Sequence, residues 1–151
     1  MSEFWKRFVP ALSVGILLTA MAACATTFLP NLIPAVVVVK PPFECEGLHV
    51  LVVEDEGSRK AMTSKQIAAF EGGDVIDWTS KNAKAFLVLD KDADKSSMAK
   101  WTKDAWASYE EKSKGTLPWV VASNGKTGTS EPYASNPKDA IAQLSKYGDK
   151  Q

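Results

Sequence analysis

Two short acidic runs are the first residues in this chain whose types and spacing could do chemistry. Glu54, Asp55 and Glu56 follow an apolar stretch, and paired carboxylates can serve as a general acid and a general base. Successive residues of a strand alternate between its two faces, however, so three adjacent acids do not converge on one substrate. The run therefore favours a solvated strand end over a catalytic pair.

The second run, Asp90-x-Asp92-x-Asp94, has the opening spacing of a calcium-binding loop. That loop needs glycine at its sixth position and glutamate at its twelfth, where this chain has Lys95 and Trp101. We therefore expect no metal site here. We interpret the run as a strand end whose carboxylates are solvated or cap the next helix.

Nucleophiles and activating bases are scarce. The chain has one histidine, His49, and two cysteines, Cys24 and Cys45, which is too few for a disulfide framework or a metal quartet. Neither Ser58 nor Ser123 has a histidine close in sequence to activate it, and no glycine-rich phosphate loop is present. The sequence thus predicts no catalytic residue and no cofactor.

Charge and length narrow the class of protein. Lys and Arg number 18 and Asp and Glu number 18 among 151 residues. A sequence-independent phosphate-binding surface needs clustered cations, so this balance argues against nucleic acid as a partner. The length suits one domain of about 100 residues with an appendage.

The appendage is an apolar N-terminal segment. Residues 8–39 contain no charged side chain and no histidine, and Lys6 and Arg7 stand directly before them. Since about 20 apolar residues cross a bilayer, residues 8–29 predict one transmembrane helix. The membrane is therefore one predicted partner of the chain. The flanking cations favour an N-terminus inside and a C-terminal domain outside, in the periplasm or the extracellular space.

Two alternatives to a retained anchor stay open. A cleaved signal peptide would use the small residues around Met21 as its cleavage site and release a secreted domain. Lipid attachment at Cys24 would produce a lipoprotein, since residues 21–24 loosely resemble a bacterial lipobox. We divide the chain into an anchor or signal segment over 1–39, a Pro-containing linker over 40–46 and a domain over 47–151.

The domain predicts alternating strands and helices. Apolar runs at 48–53 and 85–89 have the length of buried strands, with residues 54–59 as a loop. A capping box of Thr63 and Gln66 begins a helix near Ser64. The other expected elements are a break at Gly72-Gly73, a short helix capped by Asp74, a helix from Ser96 or Ser97 to about Lys112, and a helix with Asn136 as its N-cap.

A β-hairpin follows the third helix. Leu117 precedes a proline and so avoids the helical region, and residues 119–121 suit a buried strand. Asn124-Gly125 is typical of a two-residue type I′ turn. The whole order predicts an α/β fold in which a mixed sheet is flanked by helices.

This order resembles the thioredoxin-like fold family over about residues 47–149. The local match is the stretch from Leu117 to Lys126, since the family opens its third strand with a cis-proline, here Pro118. The chain is also similar to small thioredoxin-like proteins of environmental bacteria and phages that carry an N-terminal apolar segment. The family's Cys-x-x-Cys position falls in residues 55–62, which contain no cysteine, so dithiol exchange is excluded.

The resemblance implies a partner-binding surface beside the cis-proline, where backbone groups of residue 117 pair with an extended segment. On this chain the corresponding residues are Gly57, Ser58 and Arg59 after the first strand, and Leu117 and Pro118 before the third. We thus expect a non-catalytic interaction module that binds another protein of a membrane or envelope assembly. The alternative is an exported thiol or redox enzyme that depends on Cys45 or on a partner's cysteine.

An aromatic side chain completes the expected surface. Trp106 lies roughly 100° around its helix from the stripe that Trp101 shares with Met98 and Ala105. Exposed aromatic residues often mark binding surfaces. We therefore expect Trp106 to be exposed and to contribute to partner binding.

Overall fold

The computed structural model describes residues 40–148. The predicted transmembrane helix over 8–29, Cys24 and the segment that leads to Lys40 lie outside these residues. Within the described part of the chain, no helix combines the length and the apolar character that crossing a bilayer requires.

Four strands form one mixed sheet in the order β2-β1-β3-β4. Their bounds are β1 His49–Glu54, β2 Ala85–Asp90, β3 Trp119–Ser123 and β4 Gly128–Pro132. β1 pairs in parallel with β2 and antiparallel with β3, and β3 pairs antiparallel with β4. The predicted α/β architecture, a mixed sheet flanked by helices, is confirmed.

Helices cover both faces of this sheet. They are α1 Ser64–Glu71, α2 Gly73–Asn82, α3 Lys100–Lys112 and α4 Pro137–Leu144, and a 3-10 helix spans Glu56–Ala61. Val50 and Val52 pack in the core shared with α1, α2 and α4, while Leu51 and Val53 pack in the core shared with α3. All four side chains have no solvent exposure, which explains why β1 reads as one unbroken apolar run.

Local capping signals place two helices as expected. The Thr63 hydroxyl accepts a hydrogen bond from the Gln66 amide at 3.3 Å, and the Gln66 side chain accepts one from the Thr63 amide at 2.9 Å. The Asn136 side chain accepts from the Asp139 amide at 3.0 Å, with Pro137 in the first turn. Both predicted N-caps are confirmed.

Three element boundaries differ from the expectation. The loop expected after β1 contains the 3-10 helix, and α2 is preceded by Gly72 rather than by Asp74 as its N-cap. α3 begins at Lys100 rather than near Ser96. The Asp94 carboxylate accepts hydrogen bonds from both the amide and the hydroxyl of Ser96 at 2.9 and 2.6 Å, so Ser96 is held in a turn ahead of the helix.

The hairpin is confirmed, but its turn is not the two-residue type I′ turn. β3 ends at Ser123 and β4 begins at Gly128, and only Gly125 of the predicted pair has a positive φ, at 82°. The Asn124 side chain instead accepts from the amides of Lys126 and Thr127 at 3.0 and 2.8 Å. This Asx arrangement stabilises a longer loop.

The segment expected as a linker contacts the tip of this hairpin. Phe43 is buried in the core shared with α3, and its carbonyl accepts a hydrogen bond from the Ser123 hydroxyl at 2.7 Å. A Cβ added to Gly125 would lie 2.0 Å from the carbonyl oxygen of Cys45. The hairpin tip therefore needs glycine there, because the incoming chain passes directly over it.

Candidate functional site

The predicted partner-binding residues come from segments that meet at one end of the sheet. Val53 of β1 pairs with Trp119 of β3, and Glu54 aligns with Asp90 of β2. The chain after β1 and the chain before β3 therefore lie at the same end. The sequence placed Gly57, Ser58 and Arg59 in the first segment and Leu117 and Pro118 in the second.

The first segment is a capped 3-10 helix. The Asp55 carboxylate accepts hydrogen bonds from the Gly57 amide at 3.0 Å and from the Ser58 hydroxyl at 2.8 Å. Gly57 and Ser58 are both exposed. The loop where the resembled family has its cysteines is thus ordered by its own carboxylate and presents two small residues to solvent.

A buried ion pair ties this helix to the sheet. Glu54 is 3 % exposed, and its two carboxylate oxygens accept from Nε of Arg59 at 2.8 and 2.9 Å. A second guanidinium nitrogen contacts the same carboxylate, and a third lies 2.6 Å from Glu71 at the end of α1. The guanidinium carbon also lies 5.6 Å from the centre of the Phe70 ring.

The charge of Arg59 is therefore fixed. Its hydrogen bond with Glu54 raises the pKa of the guanidinium above its already high ordinary value, so it remains a cation under all working conditions. Sequence reasoning placed Arg59 at the surface and missed its partner. No sequence signal identified this partner, because Glu54 is the first of three adjacent acids at the end of the apolar run.

Asp90 links the ends of β1 and β2. Its carboxylate accepts from the Glu56 amide at 2.7 Å and from the Asp92 amide at 2.8 Å, and these hydrogen bonds lower the pKa of Asp90. The oxygens of the calcium-like run thus bind backbone amides of two turns. Among residues 40–148, no group of three or more His, Cys, Asp or Glu side chains is arranged to hold a metal ion.

The second segment leaves backbone groups without partners. The Leu117–Pro118 peptide is cis, as expected, and the Pro118 carbonyl accepts from the Tyr133 amide at 2.9 Å. Leu117 lies outside β3 and packs its side chain against the core on the α3 side. Within residues 40–148, neither its amide nor its carbonyl makes a hydrogen bond.

The expectation that Trp106 is exposed is wrong. Its side chain is 2 % exposed and packs edge to face on Tyr109, with ring centres 5.4 Å apart. The buried stripe of α3 consists of Thr102, Ala105, Trp106 and Tyr109 rather than the stripe through Trp101. Trp101 is only half-buried and packs against Phe43 and His49.

The remaining nucleophile and base candidates lie at the other end of the sheet. The Cys45 thiol contacts the carbonyl oxygens of Ser123 and Gly47 at 3.3 and 3.4 Å. A ring nitrogen of His49 lies 3.0 Å from the same Gly47 oxygen. β3 separates this group from Pro118 by its full length, roughly 15 Å. No chemistry that needs both ends can be assembled here.

The comparisons with protein-family models, curated proteins and solved structures find no match for this chain.

The Glu54–Arg59 pair generates a stability prediction. Arg59→Met leaves a buried carboxylate without its counter-charge and should lower the free energy of unfolding by about 3 kcal/mol. The matched control is Lys100→Met, which removes a cation from the exposed pair with Asp104 on α3 and should leave the free energy of unfolding nearly unchanged. Urea unfolding followed by tryptophan fluorescence measures both changes.

The double variant Glu54→Leu with Arg59→Met completes the cycle. Because it removes both charges together, it should recover most of the stability that Arg59→Met loses. Equal losses in Arg59→Met and Lys100→Met would contradict the assignment of a buried, structurally required pair.

Proposed function

We propose that this chain is a non-catalytic interaction module: a thioredoxin-like domain, tethered outside a membrane, that binds an extended segment of another protein along the backbone of Leu117. The observation that carries the proposal is that the amide and carbonyl of Leu117 make no hydrogen bond within residues 40–148, at the sheet end where the ordered loop after β1 also lies. The partner belongs to a membrane or envelope assembly.

The strand order supports the thioredoxin-like part of the proposal. The parallel strands β1 and β2 are joined through α1 and α2, then α3 leads into the β3–β4 hairpin, and α4 follows it. This is the order that the resemblance implies. The cis peptide at Leu117–Pro118 stands at the family's cis-proline position.

Backbone pairing explains how such a surface would bind. An extended peptide that adds to exposed main-chain groups gains affinity from those hydrogen bonds and specificity from the side chains around them. Leu117 offers one donor and one acceptor, and the exposed residues Gly57 and Ser58 leave the approach from the neighbouring loop free of large side chains. Trp106 has no part in this surface because it is buried.

Preorganisation supports binding rather than catalysis at this end of the sheet. The Arg59 guanidinium joins Glu54 of the sheet to Glu71 of α1, and Asp90 holds the first amide of the 3-10 helix. A loop fixed before binding loses little conformational entropy when a partner arrives. In this proposal the ion pair keeps the loop in one conformation without any chemistry of its own.

The alternative, a thiol enzyme that uses Cys45, receives less support from the geometry. The Cys45 thiol lies beside the hairpin tip, with carbonyl oxygens of Ser123 and Gly47 as its neighbours. A nucleophilic cysteine is favoured by nearby cations or a helix N-terminus. An enzyme that borrows its partner's cysteine would still use the Leu117 surface and is a variant of the binding proposal.

The membrane tether rests on the residue pattern of the N-terminal segment, with Lys6 and Arg7 ahead of residues 8–29. We expect the mature protein to be bound to the membrane and to retain its N-terminal segment uncleaved. Mass spectrometry of the mature N-terminus checks this. A terminus just after Ala22, or a diacylglyceryl modification on Cys24, would replace the anchor by a secreted form or a lipoprotein.

Photo-cross-linking tests the binding surface without disturbing the core. A photoreactive amino acid at Ser58 or at Thr116, both exposed and one in each of the two segments at this end of the sheet, should capture the same partner from solubilised native membranes. The matched control is the exposed Lys138 on α4, which should capture little of it. Equal capture at Lys138, or different partners at Ser58 and Thr116, would contradict one shared surface.

A further inference from the structure

β2 forms an edge of the sheet and carries no feature that natural proteins use to protect such an edge. Among residues 40–148, β1 pairs with one side of β2 and no strand pairs with the other. Its residues Ala85 to Leu89 are all apolar, and the first charged residue within the strand is Asp90 at its end. The opposite edge, β4, is polar and contains glycine and proline. Lysine, proline and bulges are the usual protection against strand addition.

The backbone groups at this edge are ready to pair. The amides of Ala85 and Lys91 donate to the β1 side, to the carbonyls of Leu48 and Glu54 at 3.4 and 2.8 Å. Backbone groups of successive residues in a strand alternate between its two sides, so Phe86 and Val88 direct theirs away from β1. Leu87 between them is 38 % exposed, although α3 covers the neighbouring strands on that face.

We infer that a second copy of this chain pairs with this edge, β2 against β2 in antiparallel orientation about a two-fold axis at Leu87. In this register Phe86 of one copy exchanges hydrogen bonds with Val88 of the other, and the two Leu87 side chains face each other. Lys84 then lies opposite Asp90 of the second copy. The sheet continues through both copies.

Charge complementarity selects this occupant. Lys84 is exposed at the start of β2, and Asp90 ends it. Antiparallel self-pairing therefore places a cation opposite an anion at both ends of the interface, while the middle is apolar. A parallel arrangement of two copies would instead place like charges together, which is unfavourable.

The described start of the chain lies away from this edge. The described chain reaches the domain at the opposite side of the sheet, since a Cβ on Gly128 of β4 would lie 2.4 Å from Pro42. The edge of β2 is three strand spacings away, or about 14 Å. This interface is also separate from the Leu117 surface, so each proposal can fail alone.

The test uses the purified full chain in detergent, with light scattering to count chains in each particle. We expect two chains for the wild type and one for Leu87→Lys, because two ammonium groups would then face each other across the axis. The matched control is Ala107→Lys, which adds the same charge at an exposed position of α3. It should remain a dimer.

A cross-linking variant tests the same interface independently, in case Leu87→Lys fails to fold. In a background with Cys24→Ser and Cys45→Ser, Leu87→Cys should form a covalent dimer under mild oxidation about ten times faster than Ala107→Cys on α3, because only the first pair would face each other across the axis. A monomeric wild type, a Leu87→Lys protein that stays dimeric, or equal cross-linking rates at the two positions would each overturn the inference.

Discussion

β1 occupies the centre of the sheet with residues 50–53 wholly removed from solvent, and the next residue, Glu54, is a carboxylate that remains buried. An isolated buried charge is among the most unfavourable features a fold can contain. The contacts at this end of the sheet neutralise the Glu54 carboxylate within the fold. Arg59 must return to the strand end within five residues, so the intervening chain turns tightly as a 3-10 helix.

The same cation organises the neighbouring elements. Its remaining nitrogen reaches Glu71 at the end of α1, and its plane lies near the Phe70 ring in the core. Asp90 then joins β2 to the 3-10 helix through the Glu56 amide. The ends of β1, the 3-10 helix, α1 and β2 are thus joined, and at the same end of the sheet the Leu117 amide and carbonyl make no hydrogen bond within residues 40–148. A surface that is rigid and incompletely paired is suited to receiving a strand.

Local chemistry explains which parts of the fold could be predicted from sequence. The capping box at Thr63, the Asn136 cap and the unbroken apolar run of β1 each depend on residues close in the chain, and all three are present. The hairpin was predictable, but its turn was not. The Asn124 side chain accepts hydrogen bonds from two later amides, and the Asn124 backbone does not adopt the left-handed conformation that a type I′ turn needs. That choice depends on the loop as a whole.

Contacts between distant residues account for what sequence reasoning missed. Trp106 is buried because α3 packs on the sheet through the stripe that contains Thr102, Ala105, Trp106 and Tyr109, which the sequence pattern around Trp101 does not indicate. The Arg59 partner was hidden because Glu54 reads as one of three surface acids. Leu87 is exposed because β2 lies at the edge of the described sheet. The same apolar run would be covered in a central strand. The positions of the partner-binding residues could be predicted only through the resemblance. The ion pair between Glu54 and Arg59 that holds their loop could not be predicted.

Hydrogen exchange at the Leu117 amide tests the central claim most directly. In the free protein this amide should exchange as fast as an exposed one, while the Trp119 amide two residues later, within the sheet, is protected. In the complex with the partner captured at Ser58, the Leu117 amide should become protected because the bound segment accepts its hydrogen bond. Protection of Leu117 in the free protein, or unchanged exchange in the complex, would contradict a binding surface built on this backbone.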